Sequence, residues 1–526
     1  MFLLRTALAL LTATLLGTLL SACGSMSIMM PPAKPSAAVP AHWFAPVPGE
    51  GALAHDGQIA SLADWWRQQQ DPVLLVLIDA AQHASSSVSA ARSRIAQANA
   101  ERLAAAGASR PLVDAGVSAQ RRSAFPPFPG GNVYQGAVQA SWEIDVFGAN
   151  RMALDAAQRR AQGAEASWHE ARVSVAAETA NQYYAWRACR RLLVLTEADA
   201  TSRAEISRLT ELAANAGFQS PATAALARAS AAEGRGDVTA LRAQCEVDIK
   251  ALVMLTGLDE RDLRTQLDRA SVALPLPAPV PLSELPAATL AQRPDVYAAA
   301  QQVAAASSDV GSAEARRYPR LSLSGSIGRN RFETADGNFN LNSWTVGPVA
   351  LSLPIFDGNR RRANIAAAAA RYEEAASEYH AVVRRAVREV EESLVNLDSI
   401  AARSNDAQIA IDGYTASLDA AGLRYQRGMS SLIELEQARR SKLAAEIGLV
   451  TLQRERIAAW IALYRAAGGG WQSRNNQRNP ITLDETFTNH ALVRPSSAAT
   501  GTGGRLDDHA ADYAGMATAQ CQQQRQ

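Results

Sequence analysis

The sequence predicts an α+β membrane protein in which two-faced strands pass directly into very long helices, the whole arrangement being written twice along the chain. Three observations carry this. From Tyr134 to Val146 every second residue is apolar or small, while Gln135, Gln139, Ser141, Glu143 and Asp145 fill most places between, the pattern of a strand with one dry and one wet face. After Gly148 a helical pattern takes over for roughly sixty residues, where an ordinary globular helix has about a dozen. Finally, three landmarks recur in the same order about 210 residues apart. "ASRPLVDAGVS" around Pro111 matches "RRYPRLSLSGS" around Pro319, "DVFGANR" ending at Arg151 matches "PIFDGNR" ending at Arg360, and "NAGFQSPATAALARA" at Gly217 matches "YQRGMSSLIELEQAR" at Gly428.

The chain opens with Arg5, an apolar stretch over residues 7–20 and "LSAC" ending at Cys23. That stretch has signal-peptide size and is too short to span a bilayer as a helix. Leu, Ser and Ala before a Cys resemble the lipobox of bacterial lipoproteins, so residues 1–22 are expected to be removed and Cys23 acylated; an ordinary signal peptide with an incidental Cys is the alternative. Gly24 stands where an Asp would resemble an inner-membrane retention signal, which favours the outer membrane. Residues 23–70 then read as a lipidated N-terminus and Pro-rich periplasmic linker.

The first repeat is placed at 71–257, with a helix, a β-hairpin over 112–147 and long helices over 149–257. A linker at 258–285 precedes the second repeat at 286–467, with a helix, a hairpin over 320–356 and long helices over 358–467; 468–526 is a C-terminal tail. In the first hairpin Val113, Ala115, Val117 and Ala119 alternate with Asp114, Ser118 and Gln120, and "AFPPFPGGN" supplies the connection. In the second, Leu321, Leu323 and Ile327 oppose Ser322, Ser324 and Ser326, and the returning strand is expected from Trp344 to Ile355. Ala157, Ala161, Ala164, Trp168, Ala171 and Val175 step by four and three, as do Ile365, Ala369, Tyr372, Ala376, Tyr379, Val383, Ala386 and Val390. These are heptad seams whose alanines permit close helix approach. No proline falls between Pro129 and Pro221 or between Pro354 and Pro480, so neither long helix meets an obligatory break. Residues 359–426 would extend ~100 Å as one helix, several times a bilayer core.

Past Cys23 no apolar run is long enough for a transmembrane helix, so the polypeptide can span a membrane only as a closed β-barrel. Known single-chain barrels begin at about eight strands, and two hairpins fall short, which demands an oligomer. A soluble coiled coil carrying small hairpins is the alternative. A formal net charge of +1, with no Lys/Arg block among aromatics, excludes nucleic acid as a partner. "WHEARV" has Val173 where HExxH needs its second His, and neither a nucleophile elbow nor a phosphate loop occurs. The sequence offers no catalytic, metal or cofactor residues. Cys189 and Cys245 stand equally far from Gly217 on either side, at one height on antiparallel helices; a disulfide and two buried thiols are both open readings. Cys521 has no evident partner.

The combination "ASWEIDVFG…R", "QRPDV…AA", "A…RYPRLSLSG", "PIFDGNRRRA…A" and "RYQRGMSSLIELEQAR" resembles the TolC-like outer membrane factors, in particular their NodT-like lipoprotein branch, over residues 62–471. The resemblance implies a homotrimer in the outer membrane, in contact with its lipid, with four strands per chain in a shared β-barrel and the helices continuing as a periplasmic α-barrel. It also implies two partners, a periplasmic adaptor (membrane fusion) protein and an inner-membrane transporter of the resistance-nodulation-division type. In such proteins the periplasmic aperture lies around the second helical turn. The family's tyrosine falls on Tyr425, and its two acidic positions fall on Glu434 and Gln437, of which only the first keeps a carboxylate. Arg424 and Arg427 either latch the closed aperture or are solvated charges. The function expected is passive conduction of small molecules as one part of an efflux system. Type I protein export and a structural lipoprotein scaffold are the other readings; the lipobox and "QRPDV" favour the pump branch over protein export. Cys23→Ser is expected to abolish acylation, read as loss of labelled fatty acid from the protein.

Overall fold

The computed structural model describes residues 28, 30–46, 64–123, 130–271, 273–275, 286–334 and 337–471. All belong to one compact unit, Met1–Asn479; the second unit, Pro480–Gln526, lies outside the described residues, as do Cys23, the 124–129 connection and Cys521. In chain order the elements are α1 (Trp65–Gln68), α2 (Pro72–Ala84), α3 (Ser86–Gly107), β1 (Leu112–Arg122), β2 (Gly131–Ile144), α4 (Ala149–Asn215) and α5 (Pro221–Thr256). There follow α6 (Glu260–Leu267), α7 (Pro286–Ala291), α8 (Pro294–Ala315), β3 (Arg320–Thr334), β4 (Gly337–Ser352), α9 (Arg360–Gln426) and α10 (Leu432–Ala466).

The strands form one antiparallel sheet in the order β1-β2-β3-β4. Direct partners share a face, so the register sorts the side chains. Val113, Val117, Val138, Ile327, Trp344, Val346, Val349 and Leu351 lie on one face, all strongly exposed. Asp114, Ser118, Gln135, Gln139, Ser324, Ser326 and Thr345 lie on the other, where Ser326 and Thr345 hydroxyls bond at 2.9 Å. The fourth strand differs from expectation. It begins at Gly337, because Asn338, Asn340 and Asn342 conceal the strand from a reading based on apolar alternation, and it ends at Ser352. Pro348 is accommodated at the register shift between Leu323 and Gly325, where the ladder to β3 is already interrupted.

Both strand-to-helix junctions use one device. Gly148 and Asn359, at φ 80° and 68°, turn the chain in the left-handed region ahead of α4 and α9. The Asp145 carboxylate accepts from the Arg151 backbone N–H at 2.8 Å; that of Asp357 accepts from the Arg361 N–H at 3.2 Å and from its guanidinium at 2.7 Å. Acidic oxygens thus satisfy the free N–H groups of the helix start. Each of α4 and α9 then runs 67 residues. The α4 seam contains no exposed residue, but near the sheet the α9 seam is rotated: Ala368 and Ala375 are buried while Ala369 is exposed.

The main core lies midway along the helices, where Trp65, Leu74, Leu77, Tyr183, Leu252, Leu263, Leu394 and Ile461 meet. Trp65 stacks on Tyr464 at 4.8 Å, and burial pushes the Tyr464 phenol up to about 12. Buried Arg187 donates to Asp71 at 2.6 Å, and the Tyr183 hydroxyl donates to the same carboxylate at 3.0 Å. Arg293 of "QRPDV" is equally buried; it donates to the Ala466 carbonyl at 2.9 Å and to Asp295 and Glu389, closing the end of α10 onto the start of α8. Gly468 follows at φ 92°, where a Cβ would lie 2.3 Å from the Gln292 carbonyl oxygen, and the described chain ends with Trp471 packed on Tyr297. The stretch read as a linker also holds structure: Leu263 and Leu267, one turn apart in α6, are both core residues. Cys189 and Cys245 form a disulfide with Cα atoms 5.6 Å apart, joining α4 to α5.

Residues 30–46 are seated along α8 and α9 and do not behave as a slack tether. The carbonyls of Pro31, Pro32 and Ser36 are hydrogen-bonded to Ser307, Tyr372 and His380, and the N–H groups of Phe44 and Ala45 both donate to Glu391, each at 2.8 Å. Trp43 and Ala45 enter the main core. Proline-rich backbone is extended and has few N–H donors, so its carbonyls are free to accept from side chains. Glu391→Ala is expected to release this strap, lowering stability by about 1–3 kcal/mol for two charge-assisted bonds, with new cleavage within 30–46 in limited proteolysis.

Candidate functional site

Far from the sheet, the two helical hairpins turn with the same chemistry. Gly217 and Gly428, at φ 78° and 74°, follow α4 and α9. The Phe218 N–H bonds the Ala213 carbonyl, and the Met429 N–H bonds the Arg424 carbonyl, both at 2.8 Å. These are six-to-one closures that satisfy last-turn carbonyls and favour glycine in the left-handed position. Ser220 and Ser431 then cap α5 and α10, accepting from the Thr223 and Glu434 N–H groups at 3.1 and 3.3 Å.

At the second turn, Tyr425 packs against the cluster of Ala227, Ala421, Leu432 and Leu435, which joins this hairpin to the first. Arg424, Arg427, Glu434 and Gln437 are exposed, and none makes an ion pair among the described residues. The tip therefore presents four polar side chains on a rigid pair of helix ends, with one carboxylate among them. Phe218, Met429 and Ile433 are exposed beside them, at 83%, 63% and 65%.

The sequence reading missed a buried polar network just behind these residues. The Glu436 carboxylate, on the same stripe as Leu432 and Leu435, accepts from the Ser230 hydroxyl at 2.9 Å and from Arg439 at 2.6 Å. Arg203 donates to Asp199 at 2.6 Å and to Ser230 at 3.3 Å, and it pairs with Glu233 at 3.3 Å. Arg439 lies 3.8 Å from Asp199. Three helices, α4, α5 and α10, are thus fastened through a network in which Asp199, Arg203, Glu436 and Arg439 are largely shielded from water while Glu233 lies at its exposed rim. The signal in the sequence was an acid inside an apolar stripe, with an arginine one turn on.

A two-faced sheet, rods many times longer than ordinary helices and a duplicated strand-to-helix junction are now all in view. The family model described as Outer membrane efflux protein matches residues 77–258 and 285–469, one segment for each repeat. The chain belongs to this family. Outer membrane protein OprJ of Pseudomonas aeruginosa is 30% identical over 461 residues, covering 83% of this chain and 91% of OprJ. Solvent efflux pump outer membrane protein SrpC of Pseudomonas putida is 30% identical over 346 residues, 65% of this chain and 72% of SrpC. The crystal structure of the outer membrane protein VceC from Vibrio cholerae superposes with a TM-score of 0.68 at 25% identity, covering 78% of this chain and 99% of VceC.

As a TolC-like efflux protein, the chain contributes its four strands to a trimeric outer membrane barrel, and its long helices continue that barrel outside the bilayer. The dry face of the sheet meets lipid and the wet face lines the lumen. Glu436→Ala is expected to cost about 1–3 kcal/mol by removing the close partner of Arg439 and leaving it only the longer contact with Asp199. Glu434→Ala, on the exposed side of the same helix, should change stability by less than about 0.5 kcal/mol. Thermal melts of the purified trimer, followed by helical signal, compare the two.

Proposed function

We propose that three copies of this chain form a duct carrying small molecules, drugs or toxic compounds among them, from the inner membrane to the exterior. On this reading an inner-membrane transporter of the resistance-nodulation-division type supplies the energy, and a periplasmic adaptor joins it to the helical end. Conduction through the duct itself is passive. The observation that carries the proposal is the junction: each hairpin continues through a capped turn into a 67-residue helix, so the polar face of the sheet opens into the space the helices enclose. An acylated Cys23 would add a second hold on the outer membrane.

The aperture is assigned to the tip, with Tyr425, Glu434, Gln437, Arg424 and Arg427 as its lining. Three copies of Glu434 place a ring of carboxylates there, an arrangement that favours cations, while Gln437 leaves the neighbouring ring neutral. Substrate choice falls to the transporter, because a wide water-lined tube has little with which to discriminate. SrpC is named for solvent efflux, and apolar cargo of that kind is compatible with such a tube.

Single-channel recording of the purified protein in a planar bilayer, with oligomer mass measured in the same detergent, tests the duct. A trimer giving small, rarely opening currents is expected, and Glu434→Gln should lower its preference for cations. A monomer that never conducts overturns the reading, and unchanged selectivity in the variant removes Glu434 from the aperture.

A further inference from the structure

On the lipid-facing side of the sheet the apolar residues stop at one level. From Ile355 up to Trp344 the fourth strand and its extension carry Leu353, Leu351, Val349 and Val346 outward, all more than half exposed. At 3.3 Å per residue and the usual tilt, this belt is about 25 Å tall, the height of the apolar band of an outer membrane barrel. Trp344, 75% exposed, marks its upper edge, where an aromatic ring suits the interface.

One step higher the same face becomes basic and rich in donors. Arg329 stands opposite Gly136 and Asn342, and Arg331 opposite Tyr134 and Asn340. Arg121 faces outward on β1 at the level of Asn132. Glu333 is the one acid on this upper surface among the described residues, and it is already paired with Arg331 at 3.0 Å. Arg329 makes no ion pair or side-chain hydrogen bond among the described residues. The inner face reverses in the opposite sense, with Phe332 stacked on Phe339 at 4.8 Å beside buried Val133.

Beside Arg329, spanning the row of its partner Gly136 and the row below, lies a shallow groove of about 350 Å3. Its lipid-facing walls are Val117, Val138 and Ile327, and Ala115 and Gly136 form the floor. Gly136 opens it: the position has room for a Cβ, 3.7 Å from Val117, so a larger side chain there fills the groove without displacing backbone. A guanidinium with no ion pair among the described residues, at headgroup depth, beside an apolar furrow at the upper edge of the hydrocarbon belt, is complementary to one kind of molecule. We propose that this is a lipid site, taking a phosphate-bearing acyl lipid of the outer leaflet with its phosphate on Arg329 and an acyl chain in the groove. Guanidinium and phosphate pair strongly, and at the interface they do so away from bulk water. The site depends on the sheet's place in the membrane and not on what the duct carries.

The test is native mass spectrometry of the full-length trimer titrated with diphosphoryl lipid A and, separately, with its dephosphorylated form. Wild type should retain the diphosphoryl lipid at least about tenfold more tightly than the dephosphorylated one. Arg329→Gln should remove that preference, Arg329→Lys should keep most of it, and Gly136→Leu should weaken both lipids about equally with Arg329 intact. Unchanged trimer mass and conductance in each variant report an intact barrel. Equal binding of the two lipids by wild type, or full retention by Arg329→Gln, overturns the assignment. Displacement by millimolar inorganic phosphate, leaving no bound lipid, overturns it in favour of a free anion.

Discussion

A sheet ordered β1-β2-β3-β4 leaves the outer edges of β1 and β4 without partners. In water such edges are a hazard that proteins blunt; in hydrocarbon each unpaired backbone N–H or C=O costs several kcal/mol. Nothing else among the described residues satisfies them, and in the trimeric barrel β1 of one copy meets β4 of the next until the ring closes. Trimer formation is therefore a condition of membrane insertion and not a later embellishment. The helices inherit the same geometry. Because α4 and α9 begin within a few residues of β2 and β4, closing the strands carries the helices of the three copies into the same ring.

Duplication gave the two halves a common plan and different fastenings. The turns at Gly217 and Gly428 repeat the same backbone closure, and at both junctions an aspartate, Asp145 or Asp357, accepts from an N–H of the first helical turn. The disulfide between Cys189 and Cys245 belongs to the first hairpin alone, whereas α10 of the second hairpin is held by Glu436 and Arg439 against charges on α4 and α5. A covalent cross-link resists separation of its two helices under any ionic condition. A buried ion network holds only while every partner is in place, since losing one leaves another charge stranded. The first hairpin is thus cross-linked within itself, while the second is joined to the first by both the Tyr425 cluster and this polar network.

Much of this was legible because a change of period from two to 3.6 is a local property. Tyr134 to Val146 announces its strand, and the following heptads announce the helix, with no knowledge of partners. Gly217, Gly428 and the residues around them mark the tip for the same reason. What escaped depends on distance in sequence. The start of β4 was hidden by three outward-facing asparagines, which are ordinary above a membrane and misleading in a pattern tuned to apolar alternation. Glu436 owes its buried setting to Ser230, 2.9 Å away and more than two hundred residues earlier in the chain. Of the residues expected at the aperture, Tyr425 is bound into the hairpin contact, while Arg424, Arg427, Glu434 and Gln437 are exposed, away from the chain's own core.

The strap at residues 30–46 also sets an order of events. It is made early, yet the groups that hold Phe44 and Ala45 lie on Glu391, more than three hundred residues later. A chain emerging from its N-terminus must keep Trp43 unburied until α9 exists and has packed. The first residues to arrive are consequently the last to be locked, and the strap serves as a closing clasp on a pair of repeats already folded.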